Sequence, residues 1–298
     1  MSPPMERLFD ARHIRRAFSR AADGYDAAAA LQAEVRTRLL ESLAYLDDTV
    51  PAVVLDVGSG TGHAAAAMKK RWPGAQVLAI DLALPMLRQA RRQSGWRRPL
   101  ARVCADARAL PLAEASVDVI FSNLCLQWVE DLPAVFAGFR RVLRPGGLLL
   151  CSSFGPETLS ELRQAFAGAD PAAHVSPFAS IAGFGDALMG AGFRDPVVDR
   201  DLFTLTYPDL PALMRELRAI GATNALASRR RSLTGRARFA AAAAAYEPLR
   251  DGDGRLPSTW EVIYAQAWAP APGAPIREGG QEIAAVPLSA IPIRRRPR

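Results

Sequence analysis

"VLDVGSGTGHAAAAMKKRW", from Val54 to Trp72, decides the fold. An apolar run ends in a loop with glycines at Gly58, Gly60 and Gly62, and a helix-forming run follows. A strand that turns through glycines into a helix presents backbone N–H groups at the helix start, which is how a nucleotide site begins. The spacing is G-x-G-x-G, whereas dinucleotide loops carry G-x-G-x-x-G. Asp56 stands two residues before the first glycine. Its carboxylate would repel a pyrophosphate and suits a ligand with a cationic amino group.

Further along, "QVLAID" reads as a strand and "PMLRQARRQS" as a helix, with Pro85 suited to a first turn. "LARVCAD", "VDVIFSN" and "GLLLCSSF" are further strands, and "LPAVFAGFRRVL" is a helix between the last two. This alternation predicts parallel βαβ units and an α/β, doubly wound, mostly parallel sheet. Asp81 ends the second strand, where an acid can hold both ribose hydroxyls. Asp106 ends the third, where a carboxylate can take an adenine amino hydrogen. Either acid can also cap its following turn.

On the N-terminal side, apolar residues from Asp10 to Leu46 recur at threes and fours, which predicts two helices bent at Ala22–Tyr25. On the C-terminal side, "IAGFGDALMGAGF" is a helix ending at Gly192, and "VVDRDLFTLTY" and "WEVIYAQAW" alternate like strands. Pro208 to Pro257 lies between those strands and holds "LPALMRELRAIGA" and "TGRARFAAAAAAYEPL", both helical by period and propensity. The expected organisation is an N-terminal helical segment (1–50) and a core (51–207). A helical lid (208–257) is inserted between the last two strands, a final core strand follows (258–269), and a flexible Pro/Gly/Arg-rich tail ends the chain (270–298).

The chain has 298 residues, half of them hydrophobic, and a formal net charge of +7. That length can bury a full core. No run reaches the roughly 18 apolar residues of a membrane span, and the start lacks the apolar region of a secretory signal. Cys104, Cys125 and Cys151 are far apart inside apolar runs. They read as buried free thiols of a reducing cytoplasm. His13, His63 and His174 show no metal-ligand spacing, so no metal is expected. Nearly all the positive charge is arginine, with lysine only at Lys69 and Lys70. Such a surface can meet nucleic acid, a membrane or an acidic protein. No zinc-finger or RNA-recognition signature accompanies it, so neither nucleic acid nor membrane is the expected partner.

The ordered set "VLDVGSGTG", "AIDLALPML", "CADARALPL", "VDVIFSNLCLQWVED" and "LRPGGLLL" resembles the class I S-adenosylmethionine-dependent methyltransferase family over Val53 to Phe154. The resemblance implies a Rossmann-like seven-stranded sheet that binds S-adenosyl-L-methionine. By it, Asp56, Gly58, Gly60 and Gly62 would face the methionine part. Asp81 and Leu82 would hold the ribose side, and Met86 would pack on adenine. Asp106 with the Ala107 amide would read the adenine edge, and Asn123 and Leu124 would line the sulfonium side. His63 would contact the cofactor or merely fill a helix first turn. Trp128 would wall the substrate cavity or pack in the core.

The flanks resemble a narrower family. Phe18, Arg20, Ala21, Ala22 and Tyr25 fit the F-x-R-A-A-x-x-Y pattern of malonyl-acyl-carrier-protein O-methyltransferases of biotin synthesis. "SSFGPETLSELRQAF" and "LMRELRAIGATNAL" are similar to the same family. The resemblance implies methyl transfer to the free carboxylate of a malonyl group on acyl carrier protein, giving the ester that starts pimeloyl and biotin synthesis. A carboxylate is already anionic at neutral pH, so no general base is expected. Tyr25 and Phe154 would close the cavity. A lid arginine would pair with the malonyl carboxylate: Arg215 is expected, over Arg218, Arg229, Arg230 and Arg231, although a solvated helix face is its alternative. Arg229 to Arg231 would steer an acidic carrier protein. Three other readings remain open at this point. One is a related enzyme of the complex I arginine hydroxylase type, the second is a non-enzymatic chain that binds S-adenosylmethionine and acts as an assembly or docking partner, and the third is a methyltransferase of a small free carboxylic acid.

Overall fold

The computed structural model describes residues 7–46, 49–95, 99–230, 232 and 235–271, and the backbone of 276–278 and 281–283. Five strands are parallel: β1 (Val53–Val57), β2 (Gln76–Asp81), β3 (Ala101–Cys104), β4 (Val117–Ser122) and β5 (Leu143–Phe154). β6 (Arg194–Tyr207) and β7 (Leu256–Trp268) complete a seven-stranded sheet in the order β3-β2-β1-β4-β5-β7-β6. β7 is antiparallel to both neighbours. The inner strands read as near-continuous apolar runs because helices cover both their faces. β6 sits at an edge, and its residues alternate between half-buried and exposed.

The helices start where the sequence supplies caps. Asp10, Asp131, Ser180 and Asp209 each accept a hydrogen bond from the backbone N–H three residues on. They open α1 (Ala11–Ala21), α6 (Leu132–Val142), α8 (Ile181–Gly190) and α9 (Leu210–Ala219). α2 (Tyr25–Ala28) and α3 (Ala30–Glu41) follow α1, so the expected bend at Ala22–Tyr25 is joined by a second break at Ala29. α4 (His63–Arg71), α5 (Leu84–Ala90) and α7 (Ser160–Ala167) serve the crossovers. α10 (Arg236–Tyr246) joins α9 between β6 and β7, where a helical lid is expected.

On one sheet face Phe136, Phe139 and Phe184 are fully buried, with Phe136 edge-on to Phe184 at 5.2 Å. On the other, Leu39, Leu43 and Met68 pack over β1 and β4. A third cluster joins the lid to the strand ends through Leu213, Leu217, Tyr246 and Trp260. The order reverses between β1 and β4, so the carboxyl ends of those strands flank a crevice. Of the expected tail, Ile276–Glu278 and Gln281–Ile283 pair antiparallel, and the remainder beyond 271 lies outside the described residues. No helix among the described residues is long and apolar enough to cross a membrane.

Gly62 shows how tightly the loop is built. Its φ is +84°, and a Cβ there would lie 2.6 Å from the Ala90 Cβ. Gly62→Ala is therefore expected to destabilise the fold by about 2 to 5 kcal/mol, from left-handed strain plus overpacking. Urea unfolding of both proteins measures it, and an unchanged midpoint would contradict the packing described.

Candidate active site

Asp56, on β1, is 1% exposed and accepts a hydrogen bond from Ala65 N at 2.9 Å. Burial pushes its pKa up to about 7, against the Ala65 N–H; the Asp81 charge raises it further and the Arg36 charge lowers it. Asp81 closes β2. Its Oδ2 accepts from Gly60 N at 2.9 Å and its Oδ1 from Ala83 N at 2.7 Å. Burial pushes it up to about 6, against those two N–H groups. Each Asp81 oxygen keeps a lone pair for a diol.

These acids border two connected hollows. The first, about 110 Å³, is lined by Gly58, Gly60, Asp81, Leu82, Met86, Asp106, Ala107, Asn123 and Leu124. Tyr25, Ile14, Phe18 and Trp128 cover it. The second, about 280 Å³, is lined by Tyr25, Asp26, Gln32, Arg36, Asp56, Gly58, Gly60, Thr61, His63 and Asn123. Gly58 has φ +69°, and a Cβ there would strike Cys125 at 2.5 Å, so the loop leaves no space between itself and the segment that follows β4. Asp106 receives Arg108 Nε at 2.9 Å and Nη2 at 2.6 Å, which holds its carboxyl below the usual range. An ionised Asp106 still has a free acceptor site for an amino hydrogen. Leu124 has φ +46°, and Ser152 Oγ accepts its N–H at 3.0 Å and donates to Asn123 Oδ1 at 3.0 Å.

The two hollows fit an adenosylmethionine. The first offers a diol acceptor (Asp81), an apolar floor (Met86, 1% exposed) and an edge acceptor (Asp106). The second offers carboxylates to an ammonium. Gly62 lines neither; it packs α4 against α5. His63 lines the second, with its Nε2 3.0 Å from Asp26. Cys125 lines the first, and burial pushes its thiol up to about 12, so it stays protonated and is no nucleophile. Cys104, expected to be buried, is exposed because β3 is an edge strand; Cys151 is buried.

A third cavity, about 1070 Å³, lies across α1 from the first hollow. Phe9, Ala11 and Trp128 line both. Its inner wall is apolar: Phe154 packs tilted against Trp260 (5.1 Å) and edge-on to Phe178 (6.1 Å), beside Leu162, Val175 and Leu217. Its rim carries Arg7, Arg12, Arg16 and Arg218, none of which makes an ion pair among the described residues. Tyr25, Leu124 and Phe154 belong to one apolar cluster that joins this cavity to the cofactor hollows.

Arg215 is a correction. Its side chain is 66% exposed, points toward Asp209 at 3.9 Å, and does not line the cavity. It lies one position past Met214, and 100° of helix rotation turns it to solvent while Met214 and Leu217 face the cavity and Arg218 stands at its rim. Arg229 and Arg230 are also committed. Arg229 binds Asp10 (3.0 Å) and the Leu226 carbonyl (2.9 Å), and Arg230 binds the buried Asp170 (2.8 Å). Arg231 lies outside the described residues. Sequence reading missed Arg12 and Arg16, although their i,i+4 spacing on α1 puts them on one face opposite Ile14 and Phe18.

A family model described as "Methyltransferase domain" matches residues 55–151. The malonyl-acyl-carrier-protein O-methyltransferase of Xylella fastidiosa (strain M23) is 68% identical over 98% of this chain and 99% of its own. The chain belongs to this methyltransferase family. The Gallionella capsiferriformans relative of the same name is 47% identical over 90% of this chain and 93% of its own. Among solved structures, the YcgJ protein of Bacillus subtilis superposes with a TM-score of 0.55 at 16% identity, over 78% of this chain and 97% of its own. The Haemonchus contortus phosphoethanolamine N-methyltransferase 2 does so at 0.51 and 20%, over 78% and 52%. These two share the fold. The family's name favours a carboxyl methyltransferase over the arginine hydroxylase reading.

The raised acids give a pH signature. Asp56 and Asp81 are largely protonated below about 6 and ionised above about 7. A cationic ligand prefers the ionised forms, so binding releases protons and tightens as pH rises. S-adenosylhomocysteine, whose amine stays protonated here, should bind about tenfold tighter at pH 7.5 than at pH 5.5. Calorimetry reads this, and a flat profile would contradict the site.

Proposed function

We propose that this chain transfers the methyl group of S-adenosylmethionine to the free carboxylate of a malonyl thioester carried on acyl carrier protein. The observation that carries this reading is the third cavity, apolar on its inner wall, edged by four guanidinium groups that make no ion pair among the described residues, and sharing Phe9, Ala11 and Trp128 with the first cofactor hollow. Apolar walls accept the acyl arm and exclude water. Arginines accept anions, namely the malonyl carboxylate and the acidic carrier outside.

The reaction needs no proton transfer. A carboxylate oxygen forms a bond to the methyl carbon as the carbon–sulfur bond breaks, and the sulfonium leaves as a neutral thioether. A cation and an anion annihilate, so a dry cavity favours the transition state over the separated ions. The protein's task is placement, with the reacting atoms about 3 to 3.5 Å apart and in line. Tyr25, Asn123 and Leu124 would fix the sulfonium side, and Phe154 the acyl side. Burial pushes the Tyr25 hydroxyl well above its ordinary value, so it serves as a donor or a wall and never as a base. Arg16 and Arg218 replace Arg215 as the arginines proposed to draw the malonyl carboxylate into the cavity, with Arg12 beside them facing the carrier. The product ester would hide the charge from chain-elongating enzymes, a role that suits the start of biotin synthesis; a cytoplasmic location is part of the same proposal.

The test is a methyl-transfer assay with malonyl-acyl carrier protein, malonyl-coenzyme A and free malonate. The expected result is a carrier-bound methyl ester formed fastest from the protein-linked substrate. Arg16→Ala and Arg218→Ala should each raise KM for that substrate about tenfold, the scale of one charge-assisted hydrogen bond, and leave the cofactor KM unchanged. No ester from the carrier-bound substrate, or equal rates with free malonate, would overturn the reading.

A further inference from the structure

The 280 Å³ hollow carries charge of both signs. Its carboxylates are Asp26 and Asp56. Asp26 is already engaged, accepting from Thr61 Oγ1 at 2.6 Å and facing His63 Nε2 at 3.0 Å. Asp56 has one bond, from Ala65 N. The positive charge is Arg36. Gln32 and Arg36 are four residues apart on α3, so both leave the same helix face, and both line the hollow. Arg36 is half-buried, yet it makes no ion pair or side-chain hydrogen bond among the described residues. Arg38, two residues on, is bound to Glu34 and Asp201 on the opposite side of α3. Arg36 instead turns its charge inward, where it bears on Asp56 and Tyr25.

An α-amino acid end is a zwitterion whose two charges are held a few bonds apart. A small chamber that reads it needs one anion and one fork of N–H donors on facing walls. A guanidinium supplies that fork to a carboxylate in a bidentate geometry. We propose that Arg36, assisted by the Gln32 amide, binds the α-carboxylate of the cofactor's methionine end, while Asp56 opposite takes its α-ammonium. This rests on the S-adenosylmethionine reading above. It makes α3, outside the nucleotide-binding core, the element that distinguishes an amino-acid-bearing nucleoside from a plain one.

The experiment uses two probes on the full chain. S-adenosylhomocysteine carries the amino acid; methylthioadenosine has the same adenosine and thioether without it. Calorimetric titration of the unaltered chain, Arg36→Gln and Arg36→Lys is compared. Arg36→Gln should weaken S-adenosylhomocysteine about 10- to 100-fold and shift methylthioadenosine less than about twofold, within the scatter expected for an independent site. Arg36→Lys should recover part of the loss, because it keeps the charge but not the fork. Unchanged S-adenosylhomocysteine binding in Arg36→Gln would overturn the assignment with the cofactor reading intact. An equal loss for both probes would also overturn it, marking Arg36 as structural. Failure of the unaltered chain to bind either probe would overturn both this assignment and the cofactor reading.

Discussion

The N-terminal helix α1 is a wall with two chemically different faces, and the site depends on its being held in place. Ile14 and Phe18 turn toward the adenosyl hollow, and Arg12 and Arg16 turn toward the large cavity. Several ties fix it to the lid. Phe9 pairs with Leu226 as an antiparallel bridge, through Asp10 N to the Ala225 carbonyl and Ala227 N to the Leu8 carbonyl, both at 2.8 Å; His13 Nε2 lies 3.1 Å from Thr223 Oγ1, and Arg229 binds the Asp10 carboxylate. Edge-on contacts of Phe9 and Phe18 with Trp128 fasten it to the end of β4. Without α1 the first hollow loses Ile14 and Phe18 from its cover, and the cavity loses Arg12 and Arg16, two of the four rim arginines that make no ion pair among the described residues.

Electrostatics divide along the same wall. The cofactor side is acidic and buried, so Asp56 and Asp81 sit above their usual carboxylate range. A cationic ligand relieves that cost by ionising them. The far side is basic at the rim and apolar inside. On the proposed reading each reactant would meet the opposite charge, with the apolar cluster of Tyr25, Leu124 and Phe154 packed between the two sides. The lid serves this arrangement mechanically. Asp170, fully buried, gathers Arg230 and His174, and His174 stacks on Phe166 at 4.0 Å, which fixes one side of the cavity.

The sheet was legible because each βα unit announces itself locally. Apolar runs, glycine turns and caps such as Asp131 and Asp209 depend only on near neighbours. The acids at the strand ends were legible for the same reason: Asp81 and Asp106 follow apolar runs directly, and the carboxyl end of a parallel strand faces the crevice. The substrate side was not legible. Arg215 and Arg218 are equally basic in sequence, and only the docking of α9 on Leu213 and Leu217 decides which one borders the cavity. Arg229 and Arg230 looked free until Asp10, over 200 residues away, and Asp170 claimed them. Long-range pairing of charges leaves no local pattern.

The most direct measurement is a crystal structure with S-adenosylhomocysteine and a malonyl thioester bound together. The account predicts the nucleoside over Met86 between Asp81 and Asp106. It also predicts the malonyl carboxylate reaching past Phe154 toward the sulfur, with room for one methyl between them. A malonyl group seated outside the arginine-edged cavity, or a nucleoside bound away from the Gly58–Gly60 loop, would contradict it.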